Sequence, residues 1–268
     1  MILGLSTKVM RDYSLEEGIL IAKELGYKAI EFWIDDIKSS NMTPQEIIEL
    51  TDKYGIQRSV HLLTEDLNIA SFNEGIRKES LRQQKEALKL AAQIGADNAT
   101  LHPGRRTAKT RTLEEAWKVQ LESISELANT AKECGVTLCV EGMEKFPGEF
   151  ILTPEDLRRV LDSCNQKDLQ VTLDIAHLQT IGNSTELIKA SKDLPVGNVH
   201  ISQAANGKPH YTVYDEKGEV NFEEVFKELS KFYNGALIIE GYIPQKGYEI
   251  AKTSMEWYQD IMNKINSK

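Results

Sequence analysis

Residues 171–179 read VTLDIAHLQ. Val171, Thr172 and Leu173 suit a pleated, covered strand, yet Asp174 ends the run and His177 follows three residues later. Stability alone asks for neither a carboxylate nor an imidazole there, since each costs desolvation unless it is paired. The signature recurs in VTLCVEG (136–142), which closes on Glu141, and in ALIIEG (236–241), which closes on Glu240. Apolar strands that end on an acid are those of a parallel sheet covered on both faces, with its chemistry at the carboxyl ends of the strands.

Five further runs complete the set: ILGLS (2–6), AIEFWI (29–34), RSVHLL (58–63), NATLHP (98–103) and NVHIS (198–202). Between them lie amphipathic stretches with readable helix signals. SLEEGILIAKELG (14–26) opens on a capping box of Ser14 and Glu17 and stops at Gly26. TPQEIIELTDKYG (43–55) has Thr43 as cap, Pro44 at the first helical position and Gly55 beyond the end. Other helices begin at Thr112, Thr153 and Asn221, and AKTSMEWYQDIMNKI (251–265) is the last. Eight strands alternate with helices, without a linker or low-complexity segment. The expectation is one domain over residues 1–268, an α/β fold closed as a single (β/α)8 TIM barrel. The rival is an open doubly wound sheet, but the first turn, GLSTKVMRDYS, lacks the glycine fingerprint of a dinucleotide site.

The chain has five histidines, His61, His102, His177, His200 and His210. Four fall in or just after strand runs, and His210 lies in the loop after the seventh. If about a quarter of a barrel's residues sit at the carboxyl face, five independent residues would all land there roughly once in a thousand chains. Glu141, Asp174 and Glu240 would share that partly desolvated space, where bare carboxylates repel and one takes up a proton. A divalent ion removes the cost, and mixed nitrogen and oxygen donors suit zinc, manganese or iron. Asp174 is therefore expected to bind metal, with His177 reaching into the same pocket.

Bulk composition narrows the alternatives. Net charge is −9, from 32 basic and 41 acidic residues, which disfavours a broad nucleic-acid face. The only basic cluster, HPGRRTAKTR (102–111), reads as a solvated loop. There is no run long enough to span a bilayer and no secretion signal, and the three cysteines form no C-x-x-C pair. These features point to a reduced cytoplasmic protein without a membrane partner.

Taken in order, VHLLTEDLNIAS, LHPGR, LCVEGM, LDIAH, NVHIS and LIIEG resemble the xylose isomerase-like TIM-barrel superfamily, which holds sugar and sugar-phosphate isomerases and epimerases together with endonuclease IV enzymes. The resemblance implies a metal site of Glu141, Asp174, His200 and Glu240, with Glu141 and Glu240 also serving as the acid/base pair. It implies that His177 contacts substrate oxygens, and that His61 and His102 hold a second ion bridged by Glu141. One or two ions, zinc or manganese, are thus implied. The match then breaks in NGKPHY (206–211). His210 is kept, but Lys208 stands where endonuclease IV has an aspartate for a third zinc, and its charge opposes a cation there. Asn206 stands about where the epimerases have a substrate arginine.

Two enzymatic readings follow. The first is isomerisation or epimerisation of a small sugar or sugar phosphate through a metal-stabilised enediolate, with Glu141 and Glu240 moving the proton. Lys208 would pair with an anionic substrate group. Trp33 would line the mouth as a sugar platform, while Trp117 reads as helix packing. The alternative is metal-assisted hydrolysis of a phosphoester, abasic DNA included, which His61 and His102 favour and the acidic surface opposes. A non-catalytic sensor of a metal-bound ligand accounts least well for so many ionisable groups.

Overall fold

A computed structural model describes residues 1–267. Its barrel strands are β1 (Ile2–Ser6), β2 (Ala29–Trp33), β3 (Gln57–His61), β4 (Asn98–Leu101), β5 (Thr137–Glu141), β6 (Gln170–Asp174) and β7 (Val196–Ile201). A hairpin of β8 (Gln203–Ala205) and β9 (Lys208–Tyr211) follows, before β10 (Ala236–Ile239) completes the circle. The closed order is β1-β10-β7-β6-β5-β4-β3-β2, and every neighbouring pair is parallel. The (β/α)8 expectation holds, and closure leaves no sheet edge.

Most of the long shell helices stand where the capping signals put them, though the last starts at Gly247, four residues before the stretch read as helical, and Glu74–Gln93 was not among those read. They are α1 (Leu15–Leu25), α3 (Pro44–Tyr54), α5 (Leu113–Cys134), α6 (Pro154–Cys164), α9 (Phe222–Leu229) and α10 (Gly247–Asn266), with α4 (Glu74–Gln93) crossing from β3 to β4. Both halves of the capping box form at α1, α3, α5 and α6. Trp117 is buried in α5 against Phe150, as read from its helical spacing. Cys134, Cys139 and Cys164 are free. Among the described residues no helix is long and apolar enough to cross a membrane.

Several short elements went unforeseen. The second strand stops at Trp33 because Ile34 starts α2 (Ile34–Ser39). Beyond β6 lie α7 (Ile175–Ile181) and α8 (Ser184–Ala190), so His177 stands in a helix rather than a turn. The loop after β7 is an antiparallel hairpin. Asn206 and Gly207 at its tip both have positive φ, the pairing that suits a tight two-residue hairpin turn.

Candidate metal centre

Barrel closure brings the strand ends to one mouth, and β6 shows how. Asp174 pairs in register with His200 of β7, so both side chains stand at the same height. Asp174 is also the cap of α7: its Oδ1 accepts from the His177 backbone N–H at 2.8 Å. Its Oδ2 is buried without a hydrogen-bond partner. A cap alone would need one oxygen, so the second is available to a ligand.

Three of the five histidines, His61, His177 and His200, share a common design. His61 donates Nδ1–H to the Leu62 carbonyl at 2.9 Å, and His177 donates Nδ1–H to the Gly142 carbonyl at 3.0 Å. His200 turns Nε2 toward Glu31 Oε2 at 3.0 Å and Nδ1 toward Glu141 Oε1 at 3.0 Å. In each ring one nitrogen is tied to an outer acceptor and the other faces the centre, the arrangement in which metal-ligating histidines are held. Waiting there are Glu240 Oε1, buried without a hydrogen-bond partner, and Glu141 Oε2, buried with His102 beside it but without a well-aligned hydrogen bond. His102 Nε2 lies 2.9 Å from Glu141 Oε2, and Glu240 Oε2 is 3.6 Å from His200 Nδ1.

Four sets have donor atoms within 4.8 Å of one another: His61, His102 and Glu141; Glu141, Asp174 and His200; Glu31, His200 and Glu240; and Asp174, His177 and His210. All eight metal or near-metal residues read from the sequence therefore converge. His210 arrives on β9, its Nε2 3.2 Å from that of His177. Lys208, two residues earlier, is exposed and belongs to none of these sets. The donor set Asp174, His177 and His210 assembles without it.

Charge balance makes the centre fit a cation. Burial alone would neutralise His200, but Glu240, Glu31 and Glu141 around it hold it well above the usual imidazole range. Burial pushes Asp174 up to about 6, with Glu141 and Glu240 adding repulsion against the pull of His177 and His200. Glu240 runs the other way: burial raises it, but His200, Lys8 and His210 bring it down to about 2. Despite burial, the surrounding acids thus favour protons on His61, His177 and His200, and a divalent ion bound there would compete with those protons.

The sequence reading missed Glu31, which is fully buried in β2. Its Oε2 receives Asn198 Nδ2 at 2.6 Å as well as His200. A glutamate inside AIEFW, two residues before Trp33 and therefore on the same strand face, was the available signal. Trp33 does reach the mouth. It stacks on His61 at 4.1 Å between ring centres, and its Nε1–H donates to Ser6 Oγ. Beside His102 opens a cavity of about 310 Å³, whose lining includes Leu63, Gln84, Arg105, Met143 and Glu149. Burial, with Glu144 nearby, pushes Glu149 up to about 8 despite Arg105.

A larger cavity of about 460 Å³ lies elsewhere, behind β1 and α1, and contains none of the histidines. None of the converging donor sets lines it, so that cavity does not mark the candidate centre.

Comparison with known proteins agrees with this architecture. The family model for the xylose isomerase-like TIM barrel matches residues 19–261. An uncharacterized protein of Methanocaldococcus jannaschii is 27% identical over 99% of this chain and 90% of its own. The D-psicose 3-epimerase of Ruminiclostridium cellulolyticum is 22% identical over 59% of this chain and 53% of its own. The crystal structure of a D-tagatose 3-epimerase-like protein superposes with a TM-score of 0.86 at 26% identity, covering 100% of this chain and 99% of that one.

Proposed function

The chain belongs to the xylose isomerase-like TIM-barrel family, and from that premise we propose that it is a divalent-metal-dependent isomerase or epimerase of a small sugar or sugar phosphate. The observation that carries this reading is the pair of glutamates flanking His200. Glu141 Oε1 lies 3.0 Å and Glu240 Oε2 3.6 Å from its Nδ1, and they come from strands separated in the barrel by β6 and β7. Two carboxylates approaching one point from different sides can handle a proton on either face of a substrate carbon. Relatives named as sugar epimerases support the substrate class.

Glu141, Asp174, His200 and Glu240 would hold the ion, which would supply charge stabilisation for an enediolate and polarise neighbouring substrate oxygens. One glutamate removes the carbon-bound proton and becomes a carboxylic acid. Returning a proton to the opposite face of the same carbon gives an epimer; delivery to the adjacent carbon gives the isomer. His177 meets substrate oxygens with Nε2, because Nδ1 is committed to Gly142. Trp33 offers an apolar edge, and the cavity beside His102 accepts the rest of a short sugar.

One observation favours phosphoester hydrolysis as a second reading. His61, His102 and Glu141 form one set of donors and Asp174, His177 and His210 another, which is more than a single ion needs. Lys208, exposed, does not stand between them.

Incubating the metal-loaded chain with a ketose panel in deuterium oxide separates the readings. The proposal expects metal-dependent deuterium at carbon, reduced by about 10²- to 10⁴-fold in Glu240→Gln. Nicking of an abasic duplex, with no ketose exchanging, would establish the hydrolase instead.

A further inference from the structure

Resting on the sugar reading above, we propose that Lys8, which follows β1, is the specificity residue that recognises an anionic group on the substrate, a phosphate or a carboxylate. Barrel closure sets its place. β1 and β10 are neighbours, with Leu5 paired to Ile239, so the short turn of helix at Thr7–Met10 lies beside Glu240. Lys8 Nζ stands 5.0 Å from the centre of the Trp33 ring, which in turn stacks on His61.

Two cations share the Trp33 ring, and they differ. Arg11 lies 5.0 Å from the ring centre and is neutralised by Asp36 at 3.3 Å. Asp36 is itself anchored by Thr7 Oγ1 at 2.6 Å. Lys8 is half-buried, and among the described residues its ammonium has neither an ion-pair partner nor a hydrogen-bond acceptor. Its charge is nevertheless felt in the centre, where it lowers both Glu240 and His210, though burial is the larger influence on each.

The Trp33 face stabilises the Lys8 ammonium modestly, but leaves all three of its hydrogen-bond donors unused among the described residues. Those donors suit an anionic ligand. Once the cage of carboxylates is balanced by a divalent ion, Lys8 is a positive group that, unlike Arg11 and Arg105, has no carboxylate partner among the described residues. Lys208 is exposed on the hairpin, so the anion-pairing role that its position suggested passes to Lys8. Lys8 and the cavity beside His102 border different parts of the mouth. A substrate would place its charged end at the first and its neutral end in the second.

The test compares the metal-loaded full chain with Lys8→Met, which keeps the packing against Trp33, and with Lys8→Arg, which keeps the charge. Each is assayed on matched neutral, phosphorylated and carboxylated ketoses. In Lys8→Met the ratio of kcat/KM for anionic over neutral ketoses should fall roughly 10- to 100-fold, chiefly through KM, with most of it regained in Lys8→Arg. Whichever anionic ketose shows the loss identifies the group. A parallel titration with inorganic phosphate should weaken by about 10-fold or more in Lys8→Met.

If no ketose is converted, the isomerase reading fails and the phosphate titration alone decides the role of Lys8. An unchanged ratio together with unchanged phosphate binding overturns the proposal. So does an equal loss on neutral and anionic ketoses, which would make Lys8 a partner of Glu240 rather than a reader of the substrate. Thermal unfolding of each variant separates these outcomes from misfolding, and Lys8→Gln replaces Lys8→Met if that variant does not fold.

Discussion

The helical shell and the barrel mouth obey opposite rules. In the shell the helix starts are satisfied by local partners: Thr153 accepts from the Asp156 N–H, and Asp156 accepts from Thr153 in return. In the mouth, Glu141, Asp174 and Glu240 keep buried oxygens with no hydrogen-bond partner, a few ångströms from histidines fixed from outside. Shell residues are placed by neighbours three or four positions away. Mouth residues are placed by closure of the whole barrel, as with His200 and Glu31, 169 positions apart. The two regions divide the work: helix starts in the shell are satisfied locally, and the mouth gathers largely buried donor atoms that could hold a cation.

The comparison breaks most visibly at Glu31. If Glu31 fixes the His200 ring, Glu31→Gln should weaken divalent-ion affinity roughly 10- to 100-fold while leaving the barrel folded. Competition with a chromogenic chelator measures this. An unchanged affinity would mean that His200 is oriented by its packing alone.

A pair of substitutions sharpens the contrast. Asp174→Asn keeps the cap on α7, since asparagine caps as well as aspartate, but removes a buried charge. In metal-free protein at pH 8 it should raise stability by about 1–3 kcal/mol while reducing metal affinity. Thr153→Ala should do the reverse, lowering stability by about 1 kcal/mol with metal affinity unchanged. Urea unfolding with and without metal reads both. Should both variants lose stability alike, the two regions are not governed differently.

A smaller effect is expected at the rim, where Glu149 stands at about 8 against an ordinary glutamate value of 4.5. Between those values the folded chain holds a proton that the unfolded chain has lost, so this group's contribution falls as pH rises through the window. Metal-free wild type should therefore lose stability more steeply from pH 5 to pH 8 than Glu149→Gln. Denaturant midpoints across that range check the slope, and parallel curves would remove Glu149 from the account.

What could be seen in advance divides along the same line. Capping boxes such as Ser14 with Glu17, and strand runs closing on Asp174 or Glu240, are local patterns, so the barrel and its shell were legible. The convergence of five histidines and three acids followed from strand ends meeting at one face. Glu31 was overlooked because within its strand it reads as one polar residue among apolar ones, and only closure sets it against His200. Lys8 carries no local signal, because its position depends on the pairing of the first strand with the last. Which nitrogen of His61 and of His177 faces inward rests on backbone carbonyls that no spacing rule specifies.

The central claim is that the mouth is built to hold a divalent cation. Metal analysis of protein purified without chelators, followed by thermal unfolding before and after chelation, tests it most directly. The account predicts at least one divalent ion per chain and a lower Tm on its removal, restored by zinc or manganese. Protein that carries no metal, and whose Tm is indifferent to added ions, would contradict it.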